Sequence, residues 1–372
     1  MKVFLISNTA WSLVNFRSGL MRGLMAAGHD LIAVAPPDEH VAHIEAMGIR
    51  FLPLPMDNKG THPGRDLMLL LRFYRAFRTE RPDLIISYTI KPVIYGSLAA
   101  RYFGIPVINV VTGLGTAFLK ETLITRLVEI LYRFSQSRVQ KLFFLNQDDL
   151  QLFRERNLAS AAIMECLPGE GVDLAHFSSS LQPAPVANRQ FRFLLIARML
   201  WDKGVGEFVE AARLVRELHP DTEFCLLGFL DVQNQTAISR AKMAEWVAEG
   251  VVNYLGVTSD VRPQITLADC VVLPSYREGV SRTLLEAAAM GRPIITTDVV
   301  GCREVVDDGV NGWLCRPRDI ANLAEKMRRM IALTPEARAV MGIHGRAKVE
   351  REFDERVVIK RYLDVISRIT VR

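Results

Sequence analysis

Short apolar runs alternate with amphipathic segments along most of the chain. In the first half, runs of strand length occupy residues 2–7, 30–36, 83–89, 105–111 and 141–146. Segments 17–27 and 93–102, which lie between such runs, have helical spacing, and each ends just before a glycine. Because strands that are apolar on both faces are typical of parallel sheets, the pattern predicts a parallel sheet covered by helices on both sides.

The alternation stops at residues 178–190 and then restarts. The stretch SSSLQPAPVANRQ is rich in serine, proline and small residues, as linkers are. Further apolar runs follow at 191–197, 222–228, 251–256, 269–275 and 292–298. The sequence therefore predicts two doubly wound α/β domains, 1–183 and 184–353. A helix in 354–372 is expected to pack back toward the first domain. Since such sheets bind ligands beyond the carboxyl ends of their strands, the two domains are expected to face each other across a cleft.

Composition and charge exclude several other classes of protein. The 372 residues include 46 Lys or Arg and 41 Asp or Glu, which gives a net charge of +5. The two signs are interspersed, so the chain has no basic arm for nucleic acid. The first residues do not resemble a signal peptide, and no apolar stretch reaches the roughly 18 residues of a spanning helix. We expect a cytoplasmic protein.

Two acidic residues stand out in the stretch YREGVSRTLLEAAAMG, which follows the run at 269–275. Ser281 is a good N-cap for a helix that ends near Gly291, which places Glu278 in the preceding turn and Glu286 in the second helical turn. A helix start favours an anion, and Gly279 allows a ligand to approach the backbone closely. Two such carboxylates can hold sugar hydroxyls on either side of a phosphate. The spacing alone equally fits a turn glutamate and a solvated helical glutamate.

A second cluster follows the first strand of the second domain. In IARMLWDKG, Arg198 and Lys203 precede a helix that begins near Gly204. A guanidinium and an ammonium group at a helix start can neutralise a diphosphate, although both side chains could also simply be solvated.

These two motifs resemble those of the retaining glycosyltransferases of family 4, which have the GT-B fold of two Rossmann-like domains. Glu278 and Glu286 match the E-x7-E pair of that family, and the loops are similar to those of its branch of bacterial capsule and lipid-linked N-glycan assembly enzymes. The resemblance implies a first domain that binds the acceptor and a second domain that binds a nucleotide-sugar. It implies a retaining transfer that needs no cofactor or metal.

The resemblance also assigns roles to residues. Glu278 would hold hydroxyls of the donor sugar and Glu286 the ribose, while Arg198 and Lys203 would act on the diphosphate. The remaining donor-binding positions would be the backbone from the turn into the helix and the region around the nucleobase. These positions are Gly279, Val280, Ser281, Leu284 and Val257.

The first domain departs from the commoner family pattern. A Gly-Gly loop is common after the first strand, but this chain has SNTAWSLVNFRSG at 7–19, and it lacks the usual histidines after two later strands. The acceptor-side candidates in these loops are Trp11, Ser12, Asn15, Lys91, Gly113 and Gly115.

Residues 65–78 have the pattern of a basic amphipathic helix. Leu67, Leu69, Leu70, Phe73, Tyr74 and Phe77 share one side of a helical wheel, and Arg65, Arg72, Arg75 and Arg78 share the other. Such a helix can lie on an anionic membrane, or it can cover a sheet with its apolar side in the core. A polyprenyl-diphosphate acceptor would require the protein to lie close to the membrane, either through this helix or through the basic surface around it. We therefore expect peripheral association with the inner face of the plasma membrane.

The expected activity is transfer of an N-acetylhexosamine or hexose from a UDP-sugar to a polyprenyl-diphosphate-linked saccharide in bacterial surface glycan synthesis. Two alternatives stay open. One is a nucleotide-sugar epimerase of GT-B fold, and the other is a non-catalytic nucleotide-sugar-binding subunit of a polysaccharide assembly complex. No pattern specifies an oligomeric state.

Overall fold

The protein divides into two compact units. The computed structural model describes residues 1–57, 62–113, 123–178, 190–232 and 234–369. The first unit comprises Met1–Glu170 and Glu355–Arg372, and the second comprises Gly171–Asp354. The division therefore falls before the predicted linker, of which residues 179–189 lie outside the described residues.

In the described part of the first unit, seven parallel strands form one sheet in the order β3-β2-β1-β4-β5-β6-β7. The strands are β1 (Lys2–Ile6), β2 (Asp30–Ala35), β3 (Arg50–Pro53), β4 (Leu84–Tyr88), β5 (Val107–Val111), β6 (Lys141–Phe144) and β7 (Met164–Cys166). The helices are α1 (Ala10–Ala26), α2 (Val41–Ala46), α3 (Pro63–Glu80), α4 (Ser97–Phe103), α5 (Leu123–Ser135), α6 (Gln147–Glu155) and, from the other end of the chain, α13 (Glu355–Ile366).

Alternate side chains of the central strands enter two separate cores. Val3 and Leu5 of β1 pack with α1 and with Tyr362 of α13, whereas Phe4 and Ile6 pack with α3 and α4. The helix α5 covers the neighbouring part of the same face as α3 and α4. The sheet is thus buried on both sides, which is why its strands are apolar throughout.

Among the residues of the second unit that the structure describes, six parallel strands form a sheet in the order β10-β9-β8-β11-β12-β13. They are β8 (Arg192–Ile196), β9 (Glu223–Leu227), β10 (Asn253–Tyr254), β11 (Cys270–Leu273), β12 (Ile294–Thr297) and β13 (Gly312–Cys315). The helices are α7 (Val205–Arg216), α8 (Arg240–Ala248), α9 (Arg262–Leu267), α10 (Arg282–Ala289), α11 (Ile320–Ala332) and α12 (Pro335–Glu352). The strand order reverses between β8 and β11, which is where doubly wound sheets bind ligands.

Each predicted strand is present within its predicted range, with somewhat shorter bounds, but three further strands were missed. These strands are β3, β7 and β13, which are short and lie at sheet edges, where fewer positions need to be apolar.

The predicted helix at 17–27 begins earlier, at Ala10, because the Thr9 side chain accepts a hydrogen bond from the Ser12 backbone N–H and caps the helix there. The expected loop at 7–19 is therefore mostly helix.

The helix predicted at 65–78 lies inside α3, and its apolar side faces the core. Leu69, Phe73 and Phe77 are buried against the sheet, whereas Leu67 is exposed. Arg72 donates a hydrogen bond to the carbonyl oxygen of Pro55 at 2.6 Å. The part of the predicted apolar side formed by Leu69, Phe73 and Phe77 therefore belongs to the core. Within the described residues, no helix combines the length and apolarity that a bilayer crossing requires.

The long helix α12 packs against α10 through small residues. The backbone at Gly342 approaches the turn that follows α10 so closely that a β-carbon there would lie 1.9 Å from the carbonyl oxygen of Gly291. A β-carbon at Gly345, one turn later, would instead meet the β-carbon of Ala288 at an ordinary 3.6 Å.

We therefore expect Gly342→Ala to lower the free energy of unfolding by about 1–3 kcal/mol, because α12 would have to move away from α10. The matched control Gly345→Ala should leave stability unchanged or raise it by up to about 1 kcal/mol, since alanine favours helix without a clash. Urea denaturation of both variants measures the difference. Equal midpoints would show that α12 is not tightly packed against α10.

Candidate active site

The loops after β8 and β11 are joined to each other at one edge of the second sheet. The backbone N–H of Tyr276 donates to the carbonyl oxygen of Asp202 at 3.0 Å. The hydroxyl of Thr283, in the first turn of α10, donates to the carbonyl oxygen of Ile196 at 3.3 Å. The two sequence motifs are therefore parts of one site at the point where the strand order reverses.

The cationic residues of this site differ in their surroundings. Lys203 forms an ion pair with Glu278, and their side chains are only 18% and 14% exposed. The Arg198 side chain is exposed and makes no hydrogen bond or ion pair with any residue that the structure describes. Arg198 can thus meet an anion directly, whereas Lys203 must share its charge between Glu278 and a ligand.

The backbone of Glu278 is fixed by the loop after β12. The Glu278 N–H donates to the carbonyl oxygen of Val300 at 2.9 Å. The next residue, Gly301, has a φ of +81°, and a β-carbon on it would lie 2.4 Å from the Glu278 carbonyl group. Only glycine fits this approach. Burial and the charge of Glu278 also raise the pKa of the nearby Cys302 thiol to about 12, so this thiol stays neutral.

Glu286 lies in the second turn of α10, as predicted from its spacing. The Ser281 side chain accepts the Leu284 N–H at 3.4 Å and so caps the helix. Arg282 donates through its Nε atom to Glu286 at 2.8 Å. Burial raises the pKa of Glu286, with a further contribution from the charge of Asp260, while Arg282 opposes the shift. The ionised form of the Glu286 carboxylate therefore lowers the stability of the folded protein.

The start of α10 has backbone donors that the protein itself does not use. The N–H groups of Ser281 and Leu284 donate to Gly301 and Ser281, but those of Val280 and Thr283 have no acceptor among the described residues. The prediction for Leu284 needs correction, because its side chain is fully buried in the core and its N–H is engaged by the cap. Val257 is exposed just beyond the end of β10.

The acceptor-side candidates near β1 are engaged in local structure. The Ser12 and Ser7 hydroxyl oxygens lie 2.5 Å apart, and the Ser12 side chain is buried. Asn15 donates to the Trp11 carbonyl oxygen at 2.9 Å, one helical turn earlier. Trp11 is half-buried and packs edge-on against Phe16. These side chains lie in α1 rather than in a loop, so the predicted loop setting was wrong.

The other candidates of the first unit lie after β4 and β5. Lys91 pairs with Asp66 of α3 at 2.9 Å, so its charge is already partnered. Gly113 has a φ of +133°, and no heavy atom of the described residues lies within 4 Å of the position that a β-carbon would take there, which is compatible with the approach of a ligand. Gly115 lies outside the described residues.

Sequence reasoning missed three contacts of this site. The pairing of Arg282 with Glu286 has the helical i, i+4 spacing and could have been found. Tyr276 donates to Glu207 of α7, and the guanidinium of Arg318 lies 4.4 Å from the Tyr276 ring. The two contacts of Tyr276 join segments that follow three different strands, β8, β11 and β13, and no local pattern in the sequence signals them.

Comparisons with known proteins agree with this geometry. Residues 15–169 match the family model "Glycosyl transferase 4-like domain", and residues 190–332 match "Glycosyl transferases group 1". The N,N'-diacetylbacillosaminyl-diphospho-undecaprenol alpha-1,3-N-acetylgalactosaminyltransferase of Campylobacter jejuni is 25% identical, with 99% of both chains covered. The UDP-Gal:alpha-D-GlcNAc-diphosphoundecaprenol alpha-1,3-galactosyltransferase of Escherichia coli is 24% identical over 72% of this chain and 70% of its own.

Solved structures give the same fold. The Anabaena protein HepE in complex with UDP-glucose superposes with a TM-score of 0.80 at 18% identity and covers 99% of this chain and 100% of its own. The lipopolysaccharide glycosyltransferase WaaG superposes with a TM-score of 0.74 at 17% identity, with 99% and 100% covered. Both units of this chain therefore match those of the GT-B fold.

The raised pKa of Glu286 predicts a pH-dependent stability. Its protonated form is favoured in the folded protein, so this contribution to stability is full below the ordinary pKa of 4.5 and is lost as pH rises through the folded pKa. Glu286→Gln removes the effect. We expect the stability of this variant, relative to wild type, to increase as pH is raised from about 4 to 7. Thermal unfolding at several pH values measures this.

The matched control is Glu350→Gln, which also removes the acid of an i, i+4 pair but at an exposed position beside Arg346. It should show no comparable gain. If the stability of Glu286→Gln relative to wild type stays constant or falls over this pH range, the pKa of Glu286 is not raised in the folded protein.

Proposed function

Because the chain belongs to the family 4 glycosyltransferases of GT-B fold, we propose that it transfers a sugar with retention from a UDP-sugar to a polyprenyl-diphosphate-linked saccharide. The transferred sugar would be an N-acetylhexosamine or a hexose. Two similar proteins are named as transferases to undecaprenol-diphosphate-linked sugars, which supports the acceptor class. A structural neighbour holds UDP-glucose, which supports the donor class.

The observation that carries this proposal is the convergence of Arg198, Lys203 and the start of α10 where the strand order reverses. A guanidinium, an ammonium and unused backbone N–H groups at a helix start suit a diphosphate. On this proposal Glu278 holds hydroxyls of the donor sugar and Glu286 holds the ribose. Val257 and its neighbours lie near the nucleobase.

The proposed reaction breaks the bond between the anomeric carbon and the diphosphate oxygen. Negative charge then grows on the departing diphosphate, where Arg198 and Lys203 stabilise it. The acceptor hydroxyl forms the new bond on the same face of the sugar, and an oxygen of the leaving phosphate takes its proton. The protein needs no covalent nucleophile on this route.

We propose that Arg198, Lys203 and the α10 dipole do the work that a divalent cation does in other transferases. Lys203 has a second role, because its pairing with Glu278 holds that carboxylate in place before a ligand arrives. Donor binding would shift Lys203 toward the diphosphate and release Glu278 to accept bonds from sugar hydroxyls.

The first unit would bind the acceptor, and the protein would work at the inner face of the plasma membrane in bacterial surface glycan synthesis. Gly113 is the candidate in that unit whose backbone is not crowded by any residue that the structure describes. The side chains of Ser12 and Asn15 would act by shaping the start of α1, since both are engaged in its hydrogen bonds.

The decisive test is UDP release from a panel of UDP-sugars, with and without a polyprenyl-diphosphate-linked saccharide. We expect release that depends on the acceptor and persists in EDTA. A free epimer formed without acceptor would instead identify an epimerase. Binding of UDP without any turnover would identify a non-catalytic subunit, and full inhibition by EDTA that Mg²⁺ reverses would overturn the metal-free mechanism.

Arg198→Ala is expected to lower the rate by about 10²–10³-fold, because it removes one stabiliser of the developing charge. It should leave the melting temperature unchanged, since the Arg198 side chain is exposed and makes no bond with the described residues. Lys203→Ala should lower the rate similarly but also destabilise the unit, since it leaves the largely buried Glu278 without its partner. Arg351→Ala, which removes another exposed arginine of the second unit, serves as the control. Near-normal turnover of Arg198→Ala would remove this residue from the mechanism.

A further inference from the structure

Arg318 occupies a backbone position that suits glycine better than arginine. It follows Pro317 in the turn after β13 and has a φ of +60°, in the left-handed region. A turn with proline before a left-handed residue usually has glycine there, because a β-carbon is strained in that conformation. Strain of this kind is found most often at functional sites. Arg318 is therefore a candidate for a role that requires its guanidinium group.

The Arg318 side chain is held in place, but its charge is not neutralised. Its guanidinium lies 4.4 Å from the centre of the Tyr276 ring, and the residue is exposed. It makes no hydrogen bond or ion pair with any residue that the structure describes. The neighbouring acid, Asp319, pairs with Arg316 at 2.8 Å and caps the start of α11. The Arg318 guanidinium can therefore bind an anion without breaking an existing ion pair.

The Tyr276 ring that supports Arg318 is itself fixed by two hydrogen bonds. Its hydroxyl donates to Glu207 in the first turn of α7, and its backbone N–H donates to the carbonyl oxygen of Asp202. Burial, together with the hydrogen bond to Glu207, raises the pKa of Tyr276 to about 12, so the hydroxyl stays protonated and continues to donate. A cation over the face of such a ring is attracted to it. Tyr276 thus holds the guanidinium beside the turn that carries Glu278.

The strand order places Arg318 beyond the sugar end of the proposed donor. The sheet runs β10-β9-β8-β11-β12-β13, and Val257, Arg198, Glu278 and Arg318 follow β10, β8, β11 and β13. In the proposed function, the first three of these residues lie near the base, the diphosphate and the transferred sugar. Arg318 continues this order on the side of the sugar that is remote from the base. The diphosphate of the donor already has Arg198, Lys203 and the start of α10, so Arg318 is available to a different anion.

The proposed reaction contains a second diphosphate, which belongs to the acceptor. A short saccharide brings this diphosphate close to the reacting carbon, because only one or a few sugar rings separate it from the attacking hydroxyl. A guanidinium binds phosphate oxygens through two parallel hydrogen bonds. We propose that Arg318 binds the diphosphate of the acceptor and that Tyr276 and Glu207 position it. This inference rests on the proposed function and narrows its acceptor to a diphosphate that carries a short saccharide.

The test is calorimetric titration of farnesyl diphosphate, a soluble prenyl diphosphate, into the full chain saturated with UDP. UDP fills the diphosphate site of the donor, so the remaining binding reports a second site. Wild type should bind farnesyl diphosphate. Arg318→Gln and Arg318→Gly should bind it about 10- to 100-fold more weakly, because each removes a charged hydrogen-bond donor. Arg318→Lys should fall between them and wild type, since lysine keeps the charge without the fork. The affinity of all these variants for UDP should be unchanged.

The matched control is Arg316→Gln, which removes an exposed arginine two residues earlier in the chain. It should bind farnesyl diphosphate like wild type. Arg318→Gly excludes misfolding as the cause of weaker binding, because glycine suits a φ of +60° and should keep or raise the melting temperature. In the transfer assay, Arg318→Gln should raise the KM for the polyprenyl-diphosphate-linked acceptor about 10- to 100-fold and leave kcat nearly unchanged.

Three results would overturn the proposal. They are no binding of farnesyl diphosphate to UDP-saturated wild type, equal binding by Arg318→Gln, and an equal loss in Arg316→Gln. A matching loss of UDP affinity in Arg318→Gln would assign Arg318 to the donor diphosphate instead. The titration needs no sugar transfer, so the two proposals fail separately. Transfer by a protein whose farnesyl diphosphate binding ignores Arg318 refutes this inference alone, and Arg318-dependent binding without any transfer refutes the proposed function alone.

Discussion

The strands of both sheets run parallel, and this constraint decides where the chemistry of the protein can lie. Parallel strands need a crossover after each strand, so every strand ends at the same edge of its sheet. In the second unit the order reverses at β8, and the loops after β8 and β11 meet there. Residues 75 positions apart, Lys203 and Glu278, become partners for this reason. The helix α10 begins at the same place and adds its dipole and its unused N–H groups.

Charges in the site are paired before any substrate arrives. Lys203 is held by Glu278, and Glu286 is held by Arg282. Such pairing keeps long side chains in place and limits the cost of burying them, but each pair must rearrange when a ligand enters. The raised pKa of Glu286 shows that the pairing is incomplete, because burial outweighs the help of Arg282. Perturbed pKa values of this kind cluster at binding and catalytic sites, where burial and neighbouring charges are arranged around a ligand.

The sequence predicted the parts of the fold that repeat and the site residues that belong to one turn or helix. The buried strands, the cap at Ser281 and the positions of Glu278 and Glu286 all follow from local spacing. The role of α3 did not follow, because a helical wheel shows which side is apolar but not what covers it. The exposure of Leu127, Ile130 and Phe134 on α5 was not predicted either. The apolar composition of a helix does not show which of its apolar side chains the core covers. Contacts between distant loops, such as Arg318 with Tyr276, require the three-dimensional strand order.

The return of the chain to its first unit has a consequence for how the protein is made. Val358, Tyr362 and Ile366 of α13 complete the core beneath α1, yet the ribosome makes them only after the whole second unit. At about 5–20 residues per second, the first 170 residues wait roughly 10–40 s for that helix. During this time the sheet face beside α1 is uncovered, while the second unit can fold without delay. The half of the protein that is synthesised first is therefore the half that completes its core last.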